Sequence, residues 1–239
     1  MKTIFHKADS RGHANHGWLK TYHTFSFAGY CDYDRNNFGA LRVLNDDIVE
    51  GGMGFGAHPH NNMEIISIPL KGALQHEDNM GNKGIIEEGE IQVMSAGTGI
   101  VHSEMNASPD ESVNFLQIWL FPKEQNTPPR YDQKKIESSG RHNAFQQIVS
   151  PHADDVGVQI GQDAWFHLAD FDNSFSKEYI LKKQGNGVYI FVREGKIKVQ
   201  DQNLERRDGL GVSETTSIPI TALEDSQILL MEVPMLKLH

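Results

Sequence analysis

Short runs of alternating apolar and polar residues, broken by Gly, Asn and Asp, set the pattern of this chain. In the first half they occupy Leu41–Leu44, Met63–Leu70, Ala73–His76, Ile91–Met94, Ile100–Glu104 and Val113–Phe121. Each run has the length and period of a strand. Turn-forming residues cluster between them, as at Asn79-Met-Gly81-Asn82-Lys-Gly84. No helical period of 3.6 is sustained before residue 120. Nearer the start, His23-Thr-Phe25-Ser-Phe27 alternates and predicts a strand with both Phe on one face. Residues 32–38 read as a loop. Many short strands with regular turn signals predict a sandwich or barrel.

Residues 122–135 are polar and hold three prolines, which predicts a linker. Strand signals then resume at Phe145–Val149, Val156–Ile160, Ala164–Leu168, Lys177–Leu181, Gly187–Val192, Lys196–Gln200 and Ile228–Val233. The second half repeats the rhythm of the first, as a duplicated β unit would. The expectation is an all-β protein of two antiparallel barrels. One spans 1–125, the linker 126–135, and the other 136–239.

The chain has 239 residues, enough for two units that each bury a core. Its formal net charge is −10, and its densest basic pairs are Lys182-Lys183 and Arg206-Arg207. Duplex DNA binding draws most of its affinity from phosphate neutralisation, so direct nucleic-acid binding is disfavoured. The single cysteine, Cys31, rules out an internal disulfide and reads as a partly buried small hydrophobe. The N-terminus lacks an apolar run of signal length, and no segment is apolar enough to span a membrane. A soluble cytoplasmic protein is expected.

The chemistry concentrates between Gly52 and Glu104. One part reads Gly-Met-Gly-Phe-Gly-Ala-His58-Pro-His60-Asn-Asn-Met-Glu64, the other Ser95-Ala-Gly97-Thr-Gly99-Ile-Val-His102-Ser-Glu104. Alternation along a strand puts His58 and His60 on one face, and likewise His102 and Glu104. If the two strands meet, three imidazoles and a carboxylate converge. That set suits a divalent transition metal, and four protein ligands leave an octahedral ion two open positions. Glu64 shares the strand face of His58 and His60, so alternation leaves both carboxylates open as ligands. Glycines at 52, 54 and 56 would permit tight backbone beside the histidines. The histidines of residues 1–35 have no fixed spacing to a carboxylate and read as packing on a barrel. His142, His152 and His167 are scattered, so the second half is expected to hold no metal. Trp119 and Phe121 read as core, and Phe55 as a candidate for a pocket mouth.

The segments Gly52–Gly72 and Gly89–Glu104 resemble the two cupin motifs, and their wording resembles the pirin family. The pattern is His-Pro-His-x3-Glu, then His76-Glu77-Asp78, then Gly89-x-Ile-Gln-x-Met94-x-Ala96-Gly97-x-Gly99-Ile-x-His102-x-Glu104. Ser10-Arg11-Gly12-His13 and His23-Thr-Phe-Ser-Phe27 resemble it too. The resemblance implies a bicupin, two antiparallel β-barrels face to face, with metal in the first only. It implies His58, His60, His102 and Glu104 as ligands and prefers Glu104 over Glu64. Glu64 would then accept a hydrogen bond from a ligand imidazole. His76-Glu77-Asp78 reads as a structural turn.

The resemblance also implies oxidative ring opening of flavonols such as quercetin. A metal would bind the flavonol's adjacent oxygens, and Glu104 would act as the base. One metal per chain is expected, with iron first and manganese, nickel, copper or zinc as alternatives. The partners would be a small aromatic substrate and O2. The resemblance carries two other readings: a metal- or redox-dependent regulatory module with a protein partner, and a cupin binder of a small aromatic acid without turnover. A monomer is expected.

Overall fold

The computed structural model describes residues 1–236. Strands β1 to β12 are Lys2–His6, Gly12–Asn15, Leu19–His23, Leu41–Val49, Gly54–His60, Glu64–Lys71, Ala73–Asp78, Lys83–Glu87, Glu90–Ser95, Ile100–Asn106, Val113–Leu120 and Arg130–Lys135. Strands β13 to β22 are Gln146–Ser150, Val158–Gln159, Trp165–Phe171, Ser176–Ile180, Asn186–Glu194, Ile197–Val199, Gln202–Leu204, Gly209–Ser213, Ser217–Ala222 and Ser226–Pro234. Two short 3-10 turns complete the described elements, and no α-helix is present among them. The all-β expectation holds.

Each half pairs a seven-stranded sheet with a four-stranded one. The first barrel uses β12-β9-β6-β11-β4-β3-β2 and β5-β10-β7-β8. The second uses β1-β20-β17-β22-β15-β13-β14 and β16-β21-β18-β19. Apart from the short parallel pair β13–β14, the strand ladders are antiparallel.

Period-2 alternation explains how the barrels meet. On β11, Leu116, Ile118 and Leu120 face the seam, and on β17 Tyr189 and Phe191 do so. They join Ile66, Leu44, Phe166 and Met231 in one apolar cluster built from both halves. Each such side chain, fully buried, contributes about 1.5–3 kcal/mol relative to exposure. The alternate residues of β17 and β22 (Val188, Ile190, Val192, Ile228, Leu230) fill the second barrel's interior.

The first barrel is filled differently. One apolar cluster, with Leu74, Val113 and Phe115, occupies one end; another, with Ile65, Met94 and Ile100, occupies the other. Between them lies a layer of buried polar side chains that includes Ser67, His76, Gln92, His102, Glu104 and Gln117. The imidazole site sits in this polar layer of the first barrel.

Several local expectations are corrected. The strand expected over His23–Phe27 ends at His23, because Ser26 and Phe27 turn back to Asp32 and Tyr30 by hydrogen bonds. The stretch read as a linker contains β12, which pairs with β9 from Arg130↔Ser95 to Lys135↔Glu90. The first residues form β1, which crosses to the second barrel and pairs with β20. β8, β20 and β21 lacked a strong enough alternation to be read from sequence. Cys31 is exposed rather than partly buried, on the turn-rich segment between β3 and β4.

Candidate metal centre

β10 is the spine of the site. It pairs with β5 on one side and with β7 on the other. His102 lies opposite His58 on β5, and Ile100 lies opposite His60. Between His102 and Glu104 the partner advances from His58 to Phe55, so β5 carries one extra residue there. Such a bulge twists a strand and re-aims its side chains. Gly54 is needed beside it: a Cβ there would collide with the Glu104 backbone carbonyl and with Met105. Gly56 has open space, so its lack of a side chain is not a packing requirement.

The three imidazoles converge as the alternation predicted. His58, His60 and His102 each offer a nitrogen, and these atoms lie within 4.8 Å of one another. Ring centroids are 4.5 Å apart for His58–His102, 4.9 Å for His58–His60 and 5.0 Å for His60–His102. His58 Nδ1 donates to the Gly56 carbonyl at 2.7 Å, which leaves Nε2 with its lone pair. His60 Nε2 and both His102 nitrogens are buried without a hydrogen-bond partner. Buried polar atoms are seldom left so, and one lone pair from each of these two rings, with that of His58, fits a cation. Burial, with His102 and His58 adjoining, lowers His60 to about 4. Burial, with His58 and His76 adjoining, lowers His102 to about 3. Both rings are therefore neutral near pH 7, the form that binds a metal.

Glu104 lies in the same polar layer but outside the 4.8 Å set. Its carboxylate is held by two donors, Ser67 Oγ to Oε1 and Gln117 Nε2 to Oε2, each at 2.9 Å. Trp119 Nε1 in turn donates to Gln117 Oε1 at 2.9 Å. The Trp119 ring also meets His60 edge-on at 4.8 Å, so it borders the imidazoles as well as the apolar core. Sequence reasoning missed Ser67 and Gln117. Their signal was a lone polar residue at an inward position of an apolar strand, Ile66-Ser67-Ile68 and Leu116-Gln117-Ile118.

Glu64 does not serve an imidazole. Its Oε2 accepts from Ser95 Oγ at 2.7 Å and from the Gly161 N–H of the second barrel at 3.0 Å. Burial raises its pKa, and those two hydrogen bonds oppose the rise. His76 is fully buried behind His102, ring centroids 5.4 Å apart. Gln92 Nε2 donates to its Nδ1 at 3.0 Å, which leaves Nε2–H for Asp78 at 3.1 Å. Asp78 also accepts the Met80 and Asn82 backbone N–H groups, the turn role expected of this trio.

A cavity of about 530 Å³ lies between the β2–β3 hairpin and β5, lined by His23, Phe27, Tyr30, Asn45, Asp47 and Phe55 among others. Phe27 connects it to the imidazoles, since its ring meets Trp119 edge-on at 5.3 Å. Burial raises Asp47 to about 7; Thr21 opposes the shift, and the Asp46 and Glu104 carboxylates add to it. In the second barrel, Tyr179 and the fully buried Glu232 are bonded to each other at 2.8 Å, and His167 contacts the same hydroxyl. No metal-type cluster involves His142, His152 or His167 among the described residues.

Comparison with known proteins gives consistent relatives. A family model described as "Pirin" matches residues 4–120, and one described as "Quercetinase C-terminal cupin domain" matches residues 147–233. The chain is 42% identical over 229 residues to a protein named quercetin 2,3-dioxygenase from Escherichia coli (strain K12), covering 95% of this chain and 97% of that one. It is 41% identical over 225 residues to a pirin-like protein of Caulobacter vibrioides, covering 94% and 96%. A crystal structure of the bacterial pirin YhhW from Escherichia coli in complex with nickel(II) superposes with a TM-score of 0.92 at 39% identity, over 98% of this chain and 100% of that one.

Proposed function

The chain belongs to the pirin family, and on that premise we propose that it is a metal-dependent dioxygenase that opens the ring of flavonols such as quercetin. The observation that carries this reading is the cluster of three imidazoles, with buried nitrogens of His60 and His102 unpartnered, beside a carboxylate held by Ser67 and Gln117. The relatives named quercetin 2,3-dioxygenase, which it matches along nearly its whole length, support the same reaction class.

His58, His60 and His102, with Glu104 as the fourth ligand, would hold one divalent transition metal, and iron is the metal proposed. Imidazole suits several such ions, and one carboxylate offsets part of the charge. When bound, the ion supplies Lewis acidity toward the adjacent oxygens of the flavonol. Glu104 takes the flavonol's hydroxyl proton. Its two fixed donors keep the carboxylate aimed while it does so. Phe27 and Trp119 keep water from the reacting ring, and the aromatic-lined cavity receives the planar substrate. O2 is the oxidant.

Glu104→Gln tests the assignment. It keeps the side chain's size and one acceptor oxygen but removes charge and basicity. Metal should be partly retained, and quercetin turnover should fall about 100-fold or more, the usual contribution of a positioned base. Flavonol binding, followed by its absorbance shift, should survive better than turnover. Equal turnover in the variant would refute the base role.

A further inference from the structure

We infer that the seam between the two barrels carries a second ligand site, one for a small organic monoanion held by Arg193. A cavity of about 420 Å³ opens there, with a floor that includes Ile68 and Ile91 of the first barrel and Ile148 and Leu168 of the second. Arg193 lines it as well. Its side chain lies in an apolar setting, since Tyr189 and Phe191 of the same strand pack into the seam cluster.

Two independent observations point to a ligand. Arg193 is only 9% exposed, and its Nε is buried with no hydrogen-bond partner. Asp170, whose Oδ1 is itself unpartnered, and Glu88 favour its charge, but neither is bonded to it. Asp170 holds Arg141 at 2.6 Å, while Glu194 holds Arg206 at 2.7 Å and Arg207 at 3.5 Å. Arg193 itself forms no ion pair among the described residues. A buried guanidinium with no carboxylate at hydrogen-bond distance is costly, and such groups call for an absent ion or ligand. The second observation is backbone geometry. Between Val192 and Glu194 the partner strand advances by one residue, from Ile228 to Gln227, so Arg193 is the extra residue of a β-bulge. Bulges of this kind re-aim a side chain at sites of function. Burial and the adjoining Arg141 lower its pKa to about 10, which leaves it charged at neutral pH.

The lining chooses the ligand class. A planar guanidinium pairs with a carboxylate in two parallel hydrogen bonds. The apolar floor takes the body of the molecule. Glu88, Glu90 and Glu137 also line the cavity against Lys135 and Arg141, so the lining with Arg193 has no surplus positive charge for an anion of charge −2 or more. A single carboxylate on an apolar or aromatic body fits all three features. The site is separate from the imidazole cluster, and its occupant would touch both barrels.

Calorimetric titration of the metal-loaded protein with benzoate tests this, with benzamide and sulfate as neutral and dianionic controls. Saturable benzoate binding is expected, with benzamide and sulfate each at least tenfold weaker, about the worth of a charge-assisted pair. Arg193→Met should weaken benzoate at least tenfold and leave the protein no less stable, because an unpaired buried charge has gone. Ser138→Trp, on the exposed rim, should block benzoate without touching the arginine. His58→Ala should bind benzoate as the unaltered protein does. Absence of saturable heat, equal binding of benzamide or sulfate, undiminished binding in Arg193→Met or Ser138→Trp, a loss of stability in Arg193→Met, or loss of binding in His58→Ala would each overturn the proposal. The benzamide comparison and Ser138→Trp decide the matter even if Arg193→Met does not fold.

Discussion

Gln117 Nε2 donates to Glu104 Oε2 at 2.9 Å across the interior of the first barrel, joining β11 of one sheet to β10 of the other. With Ser67 on the other oxygen, each carboxylate oxygen accepts one hydrogen bond. Its remaining capacity is what a metal or a substrate proton would use. The support is rigid because Trp119 fixes Gln117 in turn.

Gln117→Leu removes this donor and keeps the volume close. Turnover of quercetin should fall about 10- to 100-fold, the usual cost of losing a partner that orients a functional carboxylate. Metal content, measured on the purified protein, should fall less than turnover. Unchanged turnover would mean that Glu104 needs no orienting.

Gly54 and Gly56 make a contrasting pair. Gly54→Ala should cost about 1–3 kcal/mol, since the new methyl meets the β10 backbone and cannot be relieved by a side-chain rotation. The melting midpoint should drop by several °C, and metal occupancy with it. Gly56→Ala should change either quantity little. Calorimetry with metal analysis on the two variants reads both, and equal effects would contradict the stated packing.

Glu64→Ala should destabilise by about 1–3 kcal/mol, because Ser95 Oγ and the Gly161 N–H lose their buried acceptor. Metal content should stay at the unaltered level. A variant that loses metal but not stability would return Glu64 to the ligand set.

His167 supplies a pH test remote from the imidazole cluster. Burial, with Lys182 adding to it, lowers its pKa from the ordinary 6.5 to about 3. Between pH 4.5 and 6 the unfolded chain therefore holds a proton at this site that the folded one does not. Stability falls as pH falls through that window, by up to about 1.4 kcal/mol per pH unit from this one group. His167→Gln should flatten the stability-against-pH slope by about one proton, read by denaturant unfolding at several pH values. Unaltered slope would mean that His167 is protonated in the folded state.

Much of the fold was legible because alternation is a local signal. The strands expected from 41 to 121 match β4, β6, β7, β9, β10 and β11 to within a few residues, apart from β4, which runs on to Val49. What sequence did not reveal depended on long-range pairing. β1 has its partner some two hundred residues away, and β12 follows a proline pair and is half-buried along nearly its whole length, without the in–out alternation that marks a strand. The His58-x-His60 and His102 spacing placed three imidazoles correctly. Glu64 shared the same local signal, yet a turn carries β6 into the other sheet and points its carboxylate at the second barrel. The asymmetry of the barrels was readable in part: the absence of paired histidines after 140 was plain, but the apolar filling of the second interior needed the structure.

The central claim is tested most directly by oxygen uptake on quercetin. Protein stripped with a chelator, reloaded with one equivalent of iron and assayed in an oxygen electrode should consume O2 in step with loss of the flavonol absorbance. The stripped protein and iron-treated His58→Ala should consume none above background. Iron-loaded protein that binds a full equivalent of metal yet takes up no O2 with quercetin would contradict the account.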